Sequence, residues 1–385
     1  MLHTDLLGPL PELLHKGDTT APTRVRTPTG DDLWLVSDYA LARTVLTDPR
    51  FSRAAAAAPH APRLNTASPS PSSIMSMDGH DHARLRRVTA AAFTTGKVAR
   101  LAPMVQEVSD GLLADMAHQG PPADLVTAFA APLPVAVLGA LLGVPPADRP
   151  VFDASVEVLF DITASSDEQK ARHRLLLVDY MAALIDRKRR STDDDLLTEL
   201  IRAHDDGVLS RAELVSLGLA LLTAGYETTV GQIALAALAV LQGVLPPSAL
   251  TDPTRAEGTV EELLRTTPST PLSFPRVATE DVDLAGVVVR AGEGVVVSLL
   301  HGNRDAAVFA EPDAIRPGRT TPHLAFGHGI HRCLGAPLAR LQIRTALAGL
   351  FTRFPALTPA ATPGEAVVWK DGLVTRGLAR LVVTW

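Results

Sequence analysis

Apolar residues recur three and four positions apart over residues 105–116, Pro132–Leu142 and residues 174–190, the repeat of amphipathic helices. The longest such pattern runs over residues 214–242. Shorter helices are predicted over Tyr39–Thr47, capped by Ser37 or Asp38, over 257–265 and over 338–354. Strand character appears at 33–36, at 282–300 around Gly and Arg-Ala-Gly turns, and again over 365–385. Residues 54–73 are rich in Ala, Pro and Ser without periodicity, so they read as a long irregular loop, a lid or a disordered segment. No repeat is visible and no linker separates self-sufficient halves. The expected fold class is mainly α with a minor β region, in a single large domain over residues 1–385.

Composition narrows the function classes. The chain is 46% hydrophobic with a formal net charge of −6, a globular balance that argues against a nucleic-acid binder. One cysteine excludes an intrachain disulfide framework. The first residues lack a basic segment followed by an apolar run, so no signal peptide is expected. The apolar stretch 217–236 is interrupted by Thr223, Gly225, Glu227, Thr228, Thr229 and Gln232. It reads as the central helix of a soluble, cytoplasmic protein rather than a bilayer span. The 31 Arg against 5 Lys point to a GC-rich bacterial genome.

The richest chemical signal is HLAFGHGIHRCLGAPLARLQIR, residues 323–344. Gly327 and Gly329 precede Cys333, Gly335 follows, and Pro337 suits a first helical turn. Such a loop presents one sulfur and then enters a helix, where backbone N–H groups lower a thiol pKa. Two other readings exist: an inert buried cysteine, and a zinc site of His328, His331 and Cys333 that lacks a fourth ligand. Elsewhere, Glu262 and Arg265 stand on one helix face. Ala224-Gly225-Tyr226-Glu227-Thr228-Thr229 breaks the longest apolar helix, where Thr side chains can bond the preceding turn and bend it. His82 and Arg86, four apart, share a third helix face.

Together these motifs resemble the cytochrome P450 family, most closely its soluble bacterial class, over most of the chain. Phe326, Gly329, Cys333 and Gly335 meet the family's F-x-x-G-x-x-x-C-x-G pattern; Glu262 and Arg265 meet E-x-x-R. Residues 224–228 meet A-G-x-[DE]-T, and His82 with Arg86 meet H-x-x-x-R. The resemblance implies the P450 fold, with haem b buried between the central helix and the cysteine loop. It implies Cys333 as the iron's thiolate ligand, with Phe326, Gly327 and Gly335 around it. His82, Arg86, Arg276 and His323 would hold the haem propionates by charge-assisted hydrogen bonds. Thr228 and Glu227 would carry the catalytic proton delivery that reductive splitting of dioxygen requires. Glu262 and Arg265 would be a structural lock.

The implied activity is a monooxygenase: R–H + O₂ + 2 e⁻ + 2 H⁺ → R–OH + H₂O. No flavin or nicotinamide motif is evident, so a ferredoxin and its reductase are the expected electron donors to a monomer. Arg84, Arg87, Lys97, Arg100 and Arg332 are candidates for a basic docking face. The substrate is expected to be a medium-to-large, mostly apolar small molecule, a bacterial secondary metabolite. Its walls would be residues 54–77, 156–170, 219–228, 269–272 and 372–375. A peroxide-driven enzyme and a haem-binding sensor without turnover are the alternatives. Glu227 and Thr228 favour use of dioxygen.

Overall fold

A computed structural model describes residues 20–64, 70, 72–148, 155, 158–159, 166–190, 195–360, 366–370 and 375–385. The expected pocket segment 156–170 lies largely outside them, as do 65–69, 71 and 372–374. Among the described residues, ten helices have nine residues or more. In chain order the elements are β1 (Thr23–Arg26), β2 (Asp32–Val36), α1 (Tyr39–Thr47), β3 (Phe51–Ser52), α2 (Gly79–Ala90) and α3 (Ala102–Gln119). Next come β4 (Ala123–Asp124), α4 (Pro132–Leu142), α5 (Asp167–Lys188), α6 (Leu196–Asp205), α7 (Arg211–Ala224), α8 (Glu227–Leu241) and α9 (Pro253–Thr266). Then follow β5 (Arg276–Ala278), β6 (Val282–Leu284), β7 (Val287–Val289), β8 (Gly294–Val297), α10 (Ala336–Arg353), β9 (Thr358–Pro359), β10 (Val367–Trp369) and β11 (Leu378–Thr384).

Local chemistry sets the helix ends. Asp38 caps α1 by accepting the Leu41 N–H at 2.8 Å. The helix expected over 257–265 begins earlier, at Pro253. Asp252 accepts the Thr254 N–H at 2.9 Å, and the proline sits in the first turn, so cap chemistry extends the helix beyond its periodic stretch. The helix expected over 214–242 is two helices. Gly225 and Tyr226 separate α7 from α8, and threonine hydroxyls back-bond on both sides of the break, Thr223 to Leu219 O and Thr228 to Ala224 O, each at 2.9 Å. Residues 54–64 and 72–77 carry short 3-10 turns at Ala55–Ala57 and Ile74–Ser76.

Helix α8 is buried on nearly every side, from Thr229 to Val240. The combined run Arg211–Leu241 is long and apolar enough to cross a membrane, but 72% of its most apolar window is inside the protein. Helix α8 packs on α10 and on β11, and the main apolar cluster gathers around these elements. A second cluster lies on a five-stranded sheet of order β1-β2-β8-β5-β3. There β2 pairs parallel with β8, Leu35 opposite Val296. Strand β11 pairs with β10, β9 and β4, and β6 forms a hairpin with β7. The mainly helical expectation is met, and strands occur within 282–297 and, among the described residues, at 367–369 and 378–384. Leu299 and Leu300 begin a short helix, Leu299–Gly302, capped by Ser298, rather than continuing the strand.

Candidate active site

The cysteine loop is folded by its own backbone. The Cys333 N–H donates to Phe326 O at 2.8 Å and the Arg332 N–H to Gly329 O at 3.0 Å. Gly329 has φ +73°, and a Cβ there would stand 2.4 Å from Leu46 O, so only glycine lets the loop lie against the end of α1. Cys333 is exposed to the space beside the loop, although protein surrounds it closely enough that burial pushes its thiol up. The Gly335 N–H and the guanidinium groups of Arg86, Arg332 and Arg340 act in the opposite direction and favour the thiolate. Gly335 is the N-cap of α10, and Pro337 lies in its first turn, as the spacing predicted.

Basic groups converge beside this loop. The rings of His82 and His331 lie 4.2 Å apart, and Arg86 donates to Arg332 O. Arg276 donates from Nη1 to Phe51 O at 3.1 Å, while its buried Nε has no partner among the described residues. Arg53, also buried, donates to Met75 O at 2.9 Å and to Pro275 O, within the field of Arg276. Burial pushes the Arg53 guanidinium down to about 10, helped by Arg276. Burial first, then His331 and Arg86, pushes His82 down to about 4. Asp78 is the acid among them. Burial would raise its carboxyl, but His331, the Ser52 hydroxyl and the Ala54 and Arg53 N–H groups hold it well below the usual range. Three guanidinium groups against one carboxylate leave positive charge and an orphaned donor, which suits a ligand carrying two carboxylates.

Two expectations change here. His323 does not join His82, Arg86 and Arg276. Its Nε2 lies 3.2 Å from Glu261 Oε2, its Nδ1 accepts the Ala325 N–H at 3.1 Å, and its ring lies 5.8 Å from that of Phe326. His331, two residues before the cysteine, takes the place beside His82. The zinc reading is also overturned: no group of three His, Cys, Asp or Glu side chains able to hold a metal exists among the described residues. His328 instead accepts from Arg43 Nε at 3.2 Å.

Behind the loop stands a second network. Arg265 donates from Nε and Nη2 to both oxygens of Glu262 at 2.7 and 2.9 Å, with both side chains buried. Glu262 also accepts the Arg316 N–H at 2.8 Å and Arg319 Nε at 3.0 Å. Arg265 Nη1 donates to Asn303 O at 2.9 Å, and Asn303 Oδ1 accepts the Leu324 N–H, which leads into the cysteine loop. Glu261, on the same helix, accepts both Nε and Nη2 of Arg340, at 2.6 and 2.7 Å, and the Arg340 guanidinium lies 4.6 Å from the Phe326 ring. Burial alone would raise Glu261; His323 and Arg340 bring it down to about 2.

At the α7–α8 break, Ala224 is exposed and Thr228 half-buried, one turn apart on the same helical face. Glu227 points elsewhere. It is 2% exposed, and Lys370 Nζ lies 2.9 and 3.0 Å from its two oxygens. Lys370 had no sequence signal, since it lies in an ordinary strand-end context 143 residues away. Of the expected docking residues, Arg84 pairs with Glu213 and bonds Val208 O, and Lys97 pairs with Glu199. Both charges are thereby largely neutralised, whereas Arg87, Arg100 and Arg332 are exposed.

A thiol held in a Gly-rich loop beside a cluster of cationic groups, with a hydroxyl-bearing break in the central helix, fits the needs of a haem-thiolate oxygenase. The family model for Cytochrome P450 matches residues 254–376. The chain is 43% identical to nocardicin C N-oxygenase of Nocardia uniformis subsp. tsuyamanensis, over 94% of this chain and 92% of that one. The solved structure of HinD with NMFT and NO shares 44% identity and superposes with a TM-score of 0.91, covering 98% of this chain and 96% of that one. Cytochrome P450mel 107F1, a P450 with biaryl coupling reactivity, gives 37% identity and a TM-score of 0.91 over 98% of this chain and 97% of that one. The chain belongs to the cytochrome P450 family. It is a P450 monooxygenase, and its cofactor is haem b.

Proposed function

We propose that this P450 oxidises a medium-to-large, mostly apolar secondary metabolite, with electrons from a ferredoxin and its reductase. The observation that carries the site assignment is the junction of Cys333 with the His82, Arg86, Arg276 and His331 cluster. Cys333 supplies the thiolate, and Phe326, Gly327 and Gly335 shape the loop around it. His82, Arg86, Arg276 and His331, with Arg53 behind them, would hold the two carboxylates of the cofactor. When bound, a thiolate-ligated haem would supply the activation of dioxygen.

The chain's own residues handle position and protons. Thr228 spends its O–H on Ala224 O, so its lone pairs are left to accept a hydrogen bond on the open side of the helix. Glu227 carries protons from the far side of α8. Apolar and half-buried residues from Leu219 to Thr223, with Leu272, form walls that exclude water and orient the substrate. The relatives named above support the substrate class. One acts on nocardicin C and another has biaryl coupling reactivity, which keeps both oxygen insertion and oxidative coupling within reach. Exposed Arg87, Arg100 and Arg332 support an acidic electron donor. The chain acts as one domain, as a monomer and in the cytoplasm.

The decisive measurement is the ferrous–CO spectrum of the purified protein. A strongly red-shifted Soret band is expected, and an imidazole-like band would overturn the Cys333 assignment. For the substrate class, type I spectral shifts are expected from large apolar scaffolds. Shifts given only by small polar metabolites would reject it.

A further inference from the structure

Glu227 is buried at the start of α8, and its carboxylate is met by Lys370, which belongs to no motif of the family pattern. An ionised carboxylate with 2% exposure is unfavourable without a partner that offsets its lost hydration. Lys370 follows β10, and its own N–H donates to Gly377 O at 3.0 Å, just before β11. The β10–β11 hairpin is therefore the arm that brings Lys370 to α8.

Several contacts fix that arm. Gly231 lies one turn beyond Glu227 on the same face of α8. A Cβ on Gly231 would stand 2.5 Å from Arg376 O, and a Cβ on Gly377 would stand 3.4 Å from Gly231 Cα. Backbone thus lies directly on backbone. The Arg376 N–H donates to Ser269 O at 2.6 Å, and the Ser269 N–H donates to Gln232 Oε1 at 3.0 Å. Helix α8, the segment after α9 and the hairpin are tied together around one point, and Lys370 is delivered to Glu227 from that point.

We propose that Lys370 is a positioning residue for proton delivery. It keeps Glu227 ionised and turned toward the hairpin, so that protons reach the site from behind α8 rather than through the substrate groove. This rests on the proposed role of Glu227, and the test separates the two.

The holoenzyme is driven by NADPH through a plant ferredoxin and its reductase, without added substrate, and the share of electrons released as hydrogen peroxide rather than water is measured. Lys370→Gln is expected to lower water-forming flux about tenfold, with an altered solvent isotope effect, and Lys370→Arg to restore it. In the infrared spectrum of the resting protein, Lys370→Gln is expected to gain a protonated-carboxyl band that the double Glu227→Gln, Lys370→Gln variant lacks, and absence of that band overturns the inference. In a Glu227→Gln background, adding Lys370→Gln is expected to change nothing further, because the two residues act as one unit. This comparison stands even where Lys370→Gln alone does not load haem, since the double variant removes both members of the Glu227–Lys370 ion pair. A further loss in the double variant, or wild-type partition in Lys370→Gln beside an impaired Glu227→Gln, overturns the inference. Wild-type partition in Glu227→Gln overturns the role of Glu227 and the inference with it.

Discussion

The imidazole rings of His82 and His331 lie 4.2 Å apart, joining the middle of α2 to the residue two before Cys333. Two rings so close, both kept from protonation chiefly by burial, have no reason to adjoin three guanidinium groups unless an anion completes the set. His331→Ala should therefore speed haem transfer to apomyoglobin by about tenfold, close to 1.4 kcal/mol. His323→Ala should change that rate far less, because its ring serves Glu261 and the loop backbone. Equal acceleration by both variants would return His323 to the cofactor set.

Thr228→Ala removes a hydroxyl whose proton is already committed to Ala224 O. Alanine is the better helix former by about 0.5 kcal/mol, so neither folding nor haem content should fall. The peroxide share of NADPH electrons should rise several-fold. An unchanged share, measured beside an unchanged ferrous–CO spectrum, would remove Thr228 from proton delivery.

The Glu262–Arg265 pair is fully enclosed, and each member holds partners beyond the other. Arg265→Leu leaves a buried carboxylate with fewer donors and should cost about 3–5 kcal/mol. The expected outcome is little soluble holoprotein, with any that forms melting well below wild type. A melting temperature within a degree or two of wild type would show that Arg319 and the Arg316 N–H suffice for Glu262.

Gly231→Ala places a methyl group 2.5 Å from Arg376 O, well inside van der Waals contact. Overpacking of this kind costs about 1–3 kcal/mol. Amide exchange should accelerate selectively along Leu378–Thr384, because β11 must move off α8. Uniform acceleration across the protein would point to global destabilisation instead.

Glu261 carries a pH prediction. Its folded-state carboxyl lies at about 2, below an unfolded value of about 4.3, so its contribution is complete above the unfolded value and is lost as pH falls toward the folded one. The gap in urea midpoint between wild type and Glu261→Gln should stay constant from about pH 8 to about pH 5 and narrow below that. A gap that widens on acidification would contradict the pairing with Arg340.

Much of this was legible in the sequence, for identifiable reasons. Helices α1 and α4 coincide with their predicted bounds because periodicity and termini agree there. The place of the α7–α8 break was visible as an expected bend, because Gly225, Glu227 and the threonines around them interrupt the apolar run, although a single helix was expected over 214–242. Cys333, His82, Arg86 and Arg276 lie in one neighbourhood, a proximity that spacing gave only for His82 with Arg86 and that the family resemblance implied for the rest. His331 was passed over in favour of His323, although its place two residues from the cysteine was the available signal. Arg53, Asp78 and Lys370 could not have been read. Each reaches the site from a segment whose local pattern is ordinary, and only tertiary closure brings it there.

The Glu262 carboxylate reaches the cysteine loop through Arg265, Asn303 and Leu324, and no link in that chain touches the cofactor cluster. The cradle's rear wall is therefore assembled from protein alone. Presentation of the sulfur and capture of the carboxylates are thus held by separate sets of bonds, so a substitution can loosen the loop from behind while every residue of the cluster stays in place.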